Sequence, residues 1–511
     1  MRRITFLIPV LVLATIAQLG RGEDHFLTIG GGPTPTNNQV SLEKNVLMLE
    51  SLLQEKYLGG VTHEIYFADG ASTGRDLQFY DKSKVIPEAN RLLAQVLRQE
   101  RYLSLGYRSH EIENVNAPSS REAISKWFEN QGSQLKQGDR LFVYVTAHGG
   151  KSTDKKAPEN TKLYLWNNQS YQQSEMTELF NKVPESVPVV LVMVQCYAGG
   201  FAETVLAKTE SGKQLDRHNR CGFFATVQTR PAAGCTPDID EENYEEYSSY
   251  FWSALRGKRR NGEPIEPPDY DRDGSVSFEE AHAYAVLNSS SIDIPVKTSD
   301  AALRVVSRLG DDKNPGLLSA HSPIDELESH ATPAELAILK GLSEQLELSG
   351  RDRVDEAEKL SKQLDGRRKE IDKEIRKQNG IKNSILNELS NRLKLRWPEL
   401  NNRWDPQVGA LLTTDSEQVV RMIKQHPRYD ELNRIEEEID RADAQSLNLE
   451  KRWCKCQRLI RTLENLALRA NLPKVADSDQ QRSLDRLLAA ERGTLETPRD
   501  TPPQVSQSPA P

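Results

Sequence analysis

The sequence predicts an α/β protein with a doubly wound, mainly parallel sheet, followed by an α-helical coiled-coil hairpin. Three observations predict this fold class. From residue 25 to about residue 309, short apolar runs alternate with amphipathic stretches, as in stacked β-α units. Runs such as 141–145 are continuously apolar, which is typical of a strand covered on both faces. Beyond residue 322, leucine, isoleucine and alanine recur at spacings of three, four and seven, which indicates long packed helices.

The strands of the first region are bounded by turn and capping signals. Residues 25–29 form the first predicted strand and run into Gly30-Gly31-Gly32, which lack the spacing of a nucleotide-binding loop and predict a turn. Residues 61–67 predict a second strand, and a capping box at Ser119 and Glu122 opens a helix. Further apolar runs predict more strands, at 141–145, 187–194 and 222–227.

The second region begins with a helix-start signal. Thr332-Pro333-Ala334-Glu335 combines an N-cap, a first-turn proline and a capping glutamate. Trp397-Pro398 and residues 404–406 interrupt the helical pattern, so we expect residues 322–472 to fold back as an antiparallel coiled-coil hairpin. Such a hairpin could inhibit, self-associate or tether, and the sequence leaves this open. Residues 473–511 are polar and predict a largely disordered tail, Pro/Ser/Thr-rich from residue 497.

Composition excludes several classes of protein. Of 511 residues, 67 are Lys or Arg and 75 are Asp or Glu, which gives a net charge of −8. A mildly acidic chain is poorly suited to bind nucleic acid or anionic lipid through charge, so we expect no nucleic-acid partner. Five cysteines are too few and uneven for a disulfide scaffold.

The N-terminus predicts export. Met1-Arg2-Arg3 is positively charged, and residues 4–17 are apolar but shorter than the about 20 residues that cross a membrane. Small residues follow near residue 22, so residues 1–22 are predicted to be a signal peptide. We therefore expect a periplasmic, cell-surface or extracellular protein with no membrane span in its mature form.

Two predicted strands end in residues that together suggest chemistry. The run 141–145 leads to Thr146-Ala147-His148-Gly149, and the run 187–194 leads to Gln195-Cys196. In a doubly wound sheet, catalytic groups lie beyond the carboxyl ends of the strands, where an imidazole and a thiol can share one crevice. Glycines close to both residues would let a substrate backbone approach.

These segments resemble the clan of cysteine peptidases that includes caspases, legumains, gingipains and clostripain. The resemblance covers about residues 24–310 and is nearest to bacterial legumain-like or metacaspase-like branches, because Gln195 directly precedes Cys196 without the alanine of caspases. It implies an exported cysteine endopeptidase that acts on polypeptides, with its peptidase domain at 23–321. By this resemblance Cys196 is the nucleophile, His148 is the general base and acid, and the amides of Gly149 and Cys196 form the oxyanion hole.

Substrate preference stays open at this point. In the clan, the loop after the third strand, here from residue 229 to about 247, forms part of the specificity pocket. Arg230 would suit an acidic side chain before the scissile bond, whereas Asp238 and the acidic residues near it would suit Lys or Arg. A solvated acidic loop with no role in recognition is the third interpretation.

A second motif predicts a calcium site. Residues 269–280 match D-x-D-x-D-G-x5-E at every position, the pattern of an EF-hand loop. We expect carboxylates from Asp269, Asp271 and Asp273, the carbonyl of Ser275, a water held by Ser277, and bidentate closure by Glu280. Pro267-Pro268 blocks an entering helix, so this is a single EF-hand-like loop with a predicted exiting helix from about residue 278 to 287. We expect calcium to stabilise the domain rather than act in the chemical step.

Two further features allow more than one interpretation. The basic run 256–260 is either a processing site or an exposed basic turn, and Cys221 and Cys235 flank the third strand closely enough that they could pair. Two rival functions also stay open: a non-catalytic calcium-binding scaffold or adhesion protein, and a peptide ligase using the same acyl-enzyme.

Overall fold

The computed structural model describes residues 22–495, except residues 59, 211, 403 and 404. The predicted signal peptide, up to residue 21, and the Pro/Ser/Thr-rich end of the chain lie outside the described residues. The described chain is an α/β structure with a mainly parallel central sheet and long C-terminal helices, which confirms the coarse fold class.

The strands are short in most cases and fall in the first three hundred residues. In chain order they are β1 (Asp24–Gly31), β2 (Thr62–Phe67), β3 (Leu77–Tyr80), β4 (Leu105–Arg108), β5 (Val115–Ala117), β6 (Arg140–Ala147), β7 (Gly149–Gly150), β8 (Lys162–Leu165), β9 (Gln169–Gln172), β10 (Val189–Met193), β11 (Leu206–Thr209), β12 (Gly212–Leu215), β13 (Arg220–Phe224) and β14 (Val296–Lys297).

The helices lengthen toward the C-terminus. In chain order they are α1 (Val40–Tyr57), α2 (Glu88–Leu97), α3 (Arg121–Asn130), α4 (Gln173–Phe180), α5 (Tyr247–Arg256), α6 (Phe278–Asn288), α7 (Thr298–Val306), α8 (Ile324–Glu328), α9 (Pro333–Leu346), α10 (Arg353–Arg396), α11 (Pro406–Thr414), α12 (Ser416–Lys424), α13 (Tyr429–Val475) and α14 (Ser478–Glu491).

The central sheet has seven strands in the order β14-β13-β10-β6-β1-β2-β5. All its pairings are parallel except the one between β13 and the edge strand β14. Every residue of β6 is buried, because Phe142 and Tyr144 pack into one core while Leu141, Val143 and Val145 pack into the core on the opposite face. Burial on both faces explains why this strand is continuously apolar in sequence.

The C-terminal helices form the antiparallel hairpin that the heptad pattern indicates. Ser446 in α13 donates to Asp372 in α10 at 2.8 Å, and Gln457 donates to Ser361 at 2.9 Å, so the two helices run in opposite directions. The predicted capping box forms at Thr332 and Glu335 and starts α9. Glu347 then adopts a left-handed conformation, with φ of 60°, which separates α9 from α10.

The hairpin is packed onto the sheet region rather than projecting from it. Arg458 of α13 is 2% exposed and donates to the main-chain carbonyls of Val286, Ser289, Ser291 and Asp293. A buried guanidinium that satisfies four carbonyls at the end of α6 and in the loop after it fixes α13 against both. The predicted boundary at residue 321 therefore separates two sequence patterns but not two independently packed bodies.

The chain after residue 472 differs from the predicted polar tail. Helix α13 continues to Val475, and α14 follows, with Leu484 and Leu487 buried in the core beside the sheet. The low hydropathy of this segment hides its few apolar positions, which all lie on one face. The remaining predicted tail, residues 496–511, lies outside the described residues.

Two further observations concern the whole described chain. No helix within residues 22–495, its gaps apart, is long and apolar enough to cross a membrane. All five cysteines are free, with Cys221 buried in β13 and Cys235 exposed, so the pairing considered for these two is not formed.

Candidate functional site

The strands that precede His148 and Cys196 are neighbours in the sheet. Val145 of β6 lies opposite Met193 of β10, and the amide of Val194 donates to the carbonyl of Val145 at 3.0 Å. His148 and Cys196 follow these paired residues at the same distance along each chain segment. The structure therefore brings the imidazole and thiol segments to the same carboxyl edge of the sheet.

Gly149 shows how closely the two segments approach. A Cβ atom built on Gly149 would lie 2.1 Å from the carbonyl oxygen of Cys196. No side chain fits at that distance, so the glycine is required by the approach of the two backbones.

The ring of His148 is held by residues that the sequence analysis did not single out. Its Nε2 lies 2.8 Å from the carbonyl oxygen of Asn37 and 2.9 Å from the side-chain oxygen of Gln39. A carbonyl oxygen can only accept, so Nε2 carries the proton and Nδ1 keeps the lone pair that a general base needs. Burial lowers the pKa of His148, which keeps the ring neutral near pH 7. Residues 33–39 read as an ordinary loop, and no sequence signal linked them to His148.

The thiol of Cys196 is half-buried beneath the loop after β13. Its Sγ accepts a hydrogen bond from the amide of Ala232 at 3.3 Å. Burial raises the pKa of Cys196, and the charge of Asp293 acts in the same direction. The resting pair is therefore a neutral thiol and a neutral imidazole rather than a preformed ion pair.

The residue after Cys196 is held in an unusual conformation. Tyr197 has φ of 61°, in the left-handed region, and its amide donates to the carbonyl of Arg230 at 2.9 Å. A tight, strained turn therefore follows Cys196 directly, three residues after the end of β10.

Asp293 is a second residue that sequence reasoning missed. It is fully buried, accepts from the amide of Ala233 at 2.8 Å, and has a second carboxylate oxygen without a partner among the described residues. Burial raises its pKa to about 7. Nothing in the sequence around Asp293 distinguishes it from an ordinary loop aspartate.

The amides of Gly149 and Cys196 are the predicted oxyanion donors. Tyr164 donates its amide to the carbonyl of His148 at 2.9 Å, and Gly149 lies opposite Leu163. In an antiparallel ladder this makes Gly149 part of a non-hydrogen-bonded pair, so its N–H is not used between β7 and β8. The amide of Cys196 follows β10 at the same sheet edge.

The two predicted specificity residues are both engaged by other side chains. Arg230 pairs with Glu450 of α13 at 2.6 Å and stacks over Trp453, with its guanidinium carbon 4.9 Å from the ring centroid. Asp238 pairs with Lys82 at 3.2 Å. Arg230 therefore links the loop beside Cys196 to the C-terminal hairpin.

A cavity of about 420 Å³ lies beside the predicted specificity loop 229–247. It is lined by Glu241, Tyr244 and Arg260 among others, but not by His148 or Cys196. Arg260, the last residue of the basic run, has a side chain only 5% exposed and pairs with the buried Glu246 at 2.9 Å. Its guanidinium is an internal support of this loop, whereas Lys258 and Arg259 are exposed.

The structure brings together three of the six predicted ligands of the acidic loop 269–280. One carboxylate oxygen each from Asp269, Asp271 and Asp273 lies within 4.8 Å of the others. Gly274 has φ of 93°, which supplies the sharp turn. Helix α6 starts at Phe278, as expected from the motif.

Glu280 reaches back from α6 to the start of the loop. Its Oε1 accepts from the amides of Tyr270 and Asp271 at 2.6 and 3.2 Å, and its Oε2 accepts from the amide of Ser277 at 2.9 Å. Burial raises the pKa of Asp271, and the charges of Asp273 and Asp269 add to this effect. The predicted ligands in this loop offer only oxygen atoms, which suits a hard cation such as Ca²⁺.

Comparison with known proteins adds little to this geometry. No family model matches the chain, and no curated protein matches it. Among solved structures, it is similar to the crystal structure of protein GSU0716 from Geobacter sulfurreducens at 11% identity and a TM-score of 0.29, over 52% of this chain and 88% of that one. A likeness this distant identifies neither family nor function.

Proposed function

We propose that this protein is an exported cysteine endopeptidase of the caspase–legumain type, with a catalytic dyad of Cys196 and His148. The observation that carries the proposal is the register of β6 and β10. Val145 pairs with Met193, and His148 and Cys196 each follow three residues later, so they lie at matching positions after adjacent parallel strands.

Acylation begins with proton transfer. Nδ1 of His148 takes the proton of the Cys196 thiol as Sγ attacks the scissile carbonyl carbon. The carbonyl π electrons move to oxygen, and the amides of Gly149 and Cys196 stabilise that charge. The loss of one such donor typically costs about 3–4 kcal/mol of transition-state stabilisation.

Collapse of the tetrahedral intermediate breaks the C–N bond. The imidazolium of His148 gives its proton to the leaving amine, and a thioester on Cys196 remains. Water then attacks the thioester, with His148 as the base, and releases the carboxylic acid and the thiol. The contacts of Nε2 with Asn37 and Gln39 hold the ring orientation through both steps.

Calcium at residues 269–280 is part of the same proposal, as a stabilising ion. The Asp269, Asp271 and Asp273 carboxylates, with Glu280, would hold it, and neutralisation of their mutual repulsion is what it would supply. The loop precedes α6, which packs through Phe278 into the core beneath the sheet.

The test is hydrolysis of a mixed peptide library by the purified full-length chain, with and without Ca²⁺. We expect wild-type cleavage, and no cleavage by Cys196→Ala or His148→Ala. Cys456→Ala, which removes a buried thiol packed within the helical hairpin, is the matched control and should retain activity. Undiminished cleavage by either dyad variant would refute the dyad.

The same library decides between substrate preferences and rival chemistries. Preference for Asp or Glu before the cleaved bond would assign recognition to Arg230, although this requires release from Glu450. Preference for Lys or Arg would favour Asp238. Addition of an amine acceptor separates a hydrolase, which yields free acids, from a ligase, which yields joined peptides.

A further inference from the structure

A second group of metal-ligand side chains lies at the carboxyl end of β2, outside both sites described above. Asp69, Asp76 and His110 each place one ligand-type atom within 4.8 Å of the others. Asp69 and Asp76 lie at the two ends of the loop between β2 and β3, His110 lies in the loop between β4 and β5, and no sequence motif joins them. Ala68, with φ of 40°, and Gly70, with φ of 81°, form the tight turn that carries Asp69.

Each of the three side chains has a buried atom that is unsatisfied. Asp69 Oδ1, Asp76 Oδ1 and His110 Nδ1 have no hydrogen-bond partner among the described residues. Asp76 is only 2% exposed, so solvent does not reach its carboxylate freely. A buried carboxylate oxygen without a donor is costly, which indicates that a positive species belongs at this point.

The histidine is oriented as a ligand. Nε2 of His110 lies 2.9 Å from the carbonyl oxygen of Gly70, so this nitrogen carries the proton and Nδ1 presents its lone pair to the carboxylates. The ring also packs edge-on against Phe67, with centroids 5.4 Å apart. Metal-binding histidines are commonly fixed in this way, with the second nitrogen donating to a carbonyl.

A proton is the competing occupant. Burial raises the pKa of Asp76 to about 6, and the neighbouring Asp69 adds to this. A proton held between Nδ1 of His110 and one carboxylate would link these two groups but leave the unsatisfied oxygen of the other carboxylate without a donor. A divalent cation satisfies all three atoms at once.

We propose that Asp69, Asp76 and His110 bind a divalent transition-metal ion, for which Zn²⁺ is the best match. Zn²⁺ accepts imidazole nitrogen at about 2.0–2.1 Å and carboxylate oxygen at about 2.0–2.2 Å, whereas Ca²⁺ and Mg²⁺ take oxygen ligands.

The ion would act on the position of His148 rather than on the reaction itself. Asn38 donates its side-chain amide to the carbonyl of Asp76 at 3.0 Å, and the preceding Asn37 holds Nε2 of His148. The side-chain oxygen of Asn38 also accepts from the amide of Gly32 at 3.0 Å. A metal on Asp76 therefore stiffens the loop that orients the imidazole. The proposal does not depend on the peptidase function.

The test is metal titration of the chelator-treated, full-length chain. Zn²⁺ content is measured by mass spectrometry after dialysis, and Co²⁺ is followed by its visible absorption. The variant Asp271→Asn weakens metal binding at the acidic loop 269–280, so metal bound there can be told apart from metal bound at Asp69, Asp76 and His110. We expect one equivalent of Zn²⁺ in the wild type and in Asp271→Asn, with a rise in melting temperature and a Co²⁺ spectrum that lacks a thiolate band.

The decisive variants are His110→Ala and the shape-preserving Asp76→Asn. Both should lose this equivalent, because each variant removes or neutralises a direct ligand of the ion. His321→Ala is the matched control, because it removes an exposed histidine that contacts Asp355 at 2.8 Å, and it should bind like the wild type. Circular dichroism without metal establishes that each variant is folded.

Three results would overturn the proposal: a wild type that binds no Zn²⁺ or Co²⁺, full binding by folded Asp76→Asn and His110→Ala, or binding of Ca²⁺ alone at these residues. Each of these readouts is independent of peptide cleavage. Failure of the catalytic proposal would leave them unchanged, so the two ideas fail separately.

Discussion

The acidic loop 269–280 and the sheet edge that carries His148 and Cys196 are built in opposite ways. The loop draws its expected ligands from twelve consecutive residues, and it folds on a local turn at Gly274 and the start of α6. The sheet edge joins His148, Cys196 and Asn37, which are brought together by strand pairing. A local site depends on its own residues, whereas an assembled site depends on distant packing as well.

The largest expected effect comes from a distant contact that holds the assembly together. Glu491 of α14 is fully buried and accepts from Lys297 at 2.9 Å, from Thr298 at 2.8 Å and from the amide of Ser299 at 2.7 Å. Glu491→Ala leaves Lys297 without one of its two carboxylates, so we expect a loss of about 3–5 kcal/mol in the free energy of unfolding. Urea unfolding followed by circular dichroism measures it.

The matched control for that variant is Asp485→Ala, which removes an exposed carboxylate of the same helix. It should change the free energy of unfolding by less than about 0.5 kcal/mol. Equal effects from the two variants would contradict the idea that α14 is anchored by its buried glutamate.

The next largest expected effect is a loss of peptidase activity when the close approach of Gly149 to Cys196 is disturbed. Gly149→Ala forces a methyl group against the carbonyl of Cys196, and the backbones must separate. We expect kcat/KM for peptide hydrolysis to fall by about 100-fold or more, since a displacement of about 1 Å can cost this much. Gly366→Ala, where a Cβ meets nothing within 4 Å, is the control and should leave kcat/KM unchanged. Full activity of Gly149→Ala would contradict a functional role for the close approach of Gly149 to Cys196.

A smaller effect on stability is expected from Ca²⁺ binding to the acidic loop 269–280. If extracellular-type affinity applies, with Kd of about 10⁻⁴–10⁻³ M, then 10 mM Ca²⁺ stabilises the fold by about 1.4–2.7 kcal/mol. Differential scanning calorimetry should show a Ca²⁺-dependent rise in Tm for the wild type and for Asp312→Asn, an exposed aspartate outside the loop, but not for Asp271→Asn. Peptidase activity at low temperature should persist in Asp271→Asn, because the loop has no part in the chemical step.

The smallest expected effect is a shift in the pH dependence of kcat/KM. Burial lowers the pKa of His148 below its usual 6.5, so the neutral base persists into mildly acidic solution and is lost only as pH falls through the lowered pKa. The acid limb of kcat/KM should therefore have its midpoint below pH 6.5. Gln39→Ala removes one acceptor of Nε2–H and should lower kcat while leaving the limb below 6.5. A midpoint above pH 7 would contradict a neutral resting imidazole.

Sequence patterns anticipated several local features, although the helix predicted to open with a capping box at Ser119 and Glu122 is capped by Ser120 instead. The capping box at Thr332 and Glu335, the start of α6 at Phe278 and the helix end before Trp397 all appear in the structure. Each depends on hydrogen bonds or proline restrictions within a few residues, which the sequence states directly. Helix α14 was missed because its buried leucines are few, and their burial depends on a distant sheet surface.

The sequence by itself determined that apolar runs form covered strands, and that His148 and Cys196 each follow such a strand. Only the tertiary structure decided that these strands are adjacent, that Asn37 and Gln39 hold the ring, and that Asp69, Asp76 and His110 meet. The reason is physical: backbone preferences and side-chain periodicity act over a few residues, whereas strand order and loop proximity follow from how whole faces are buried against one another.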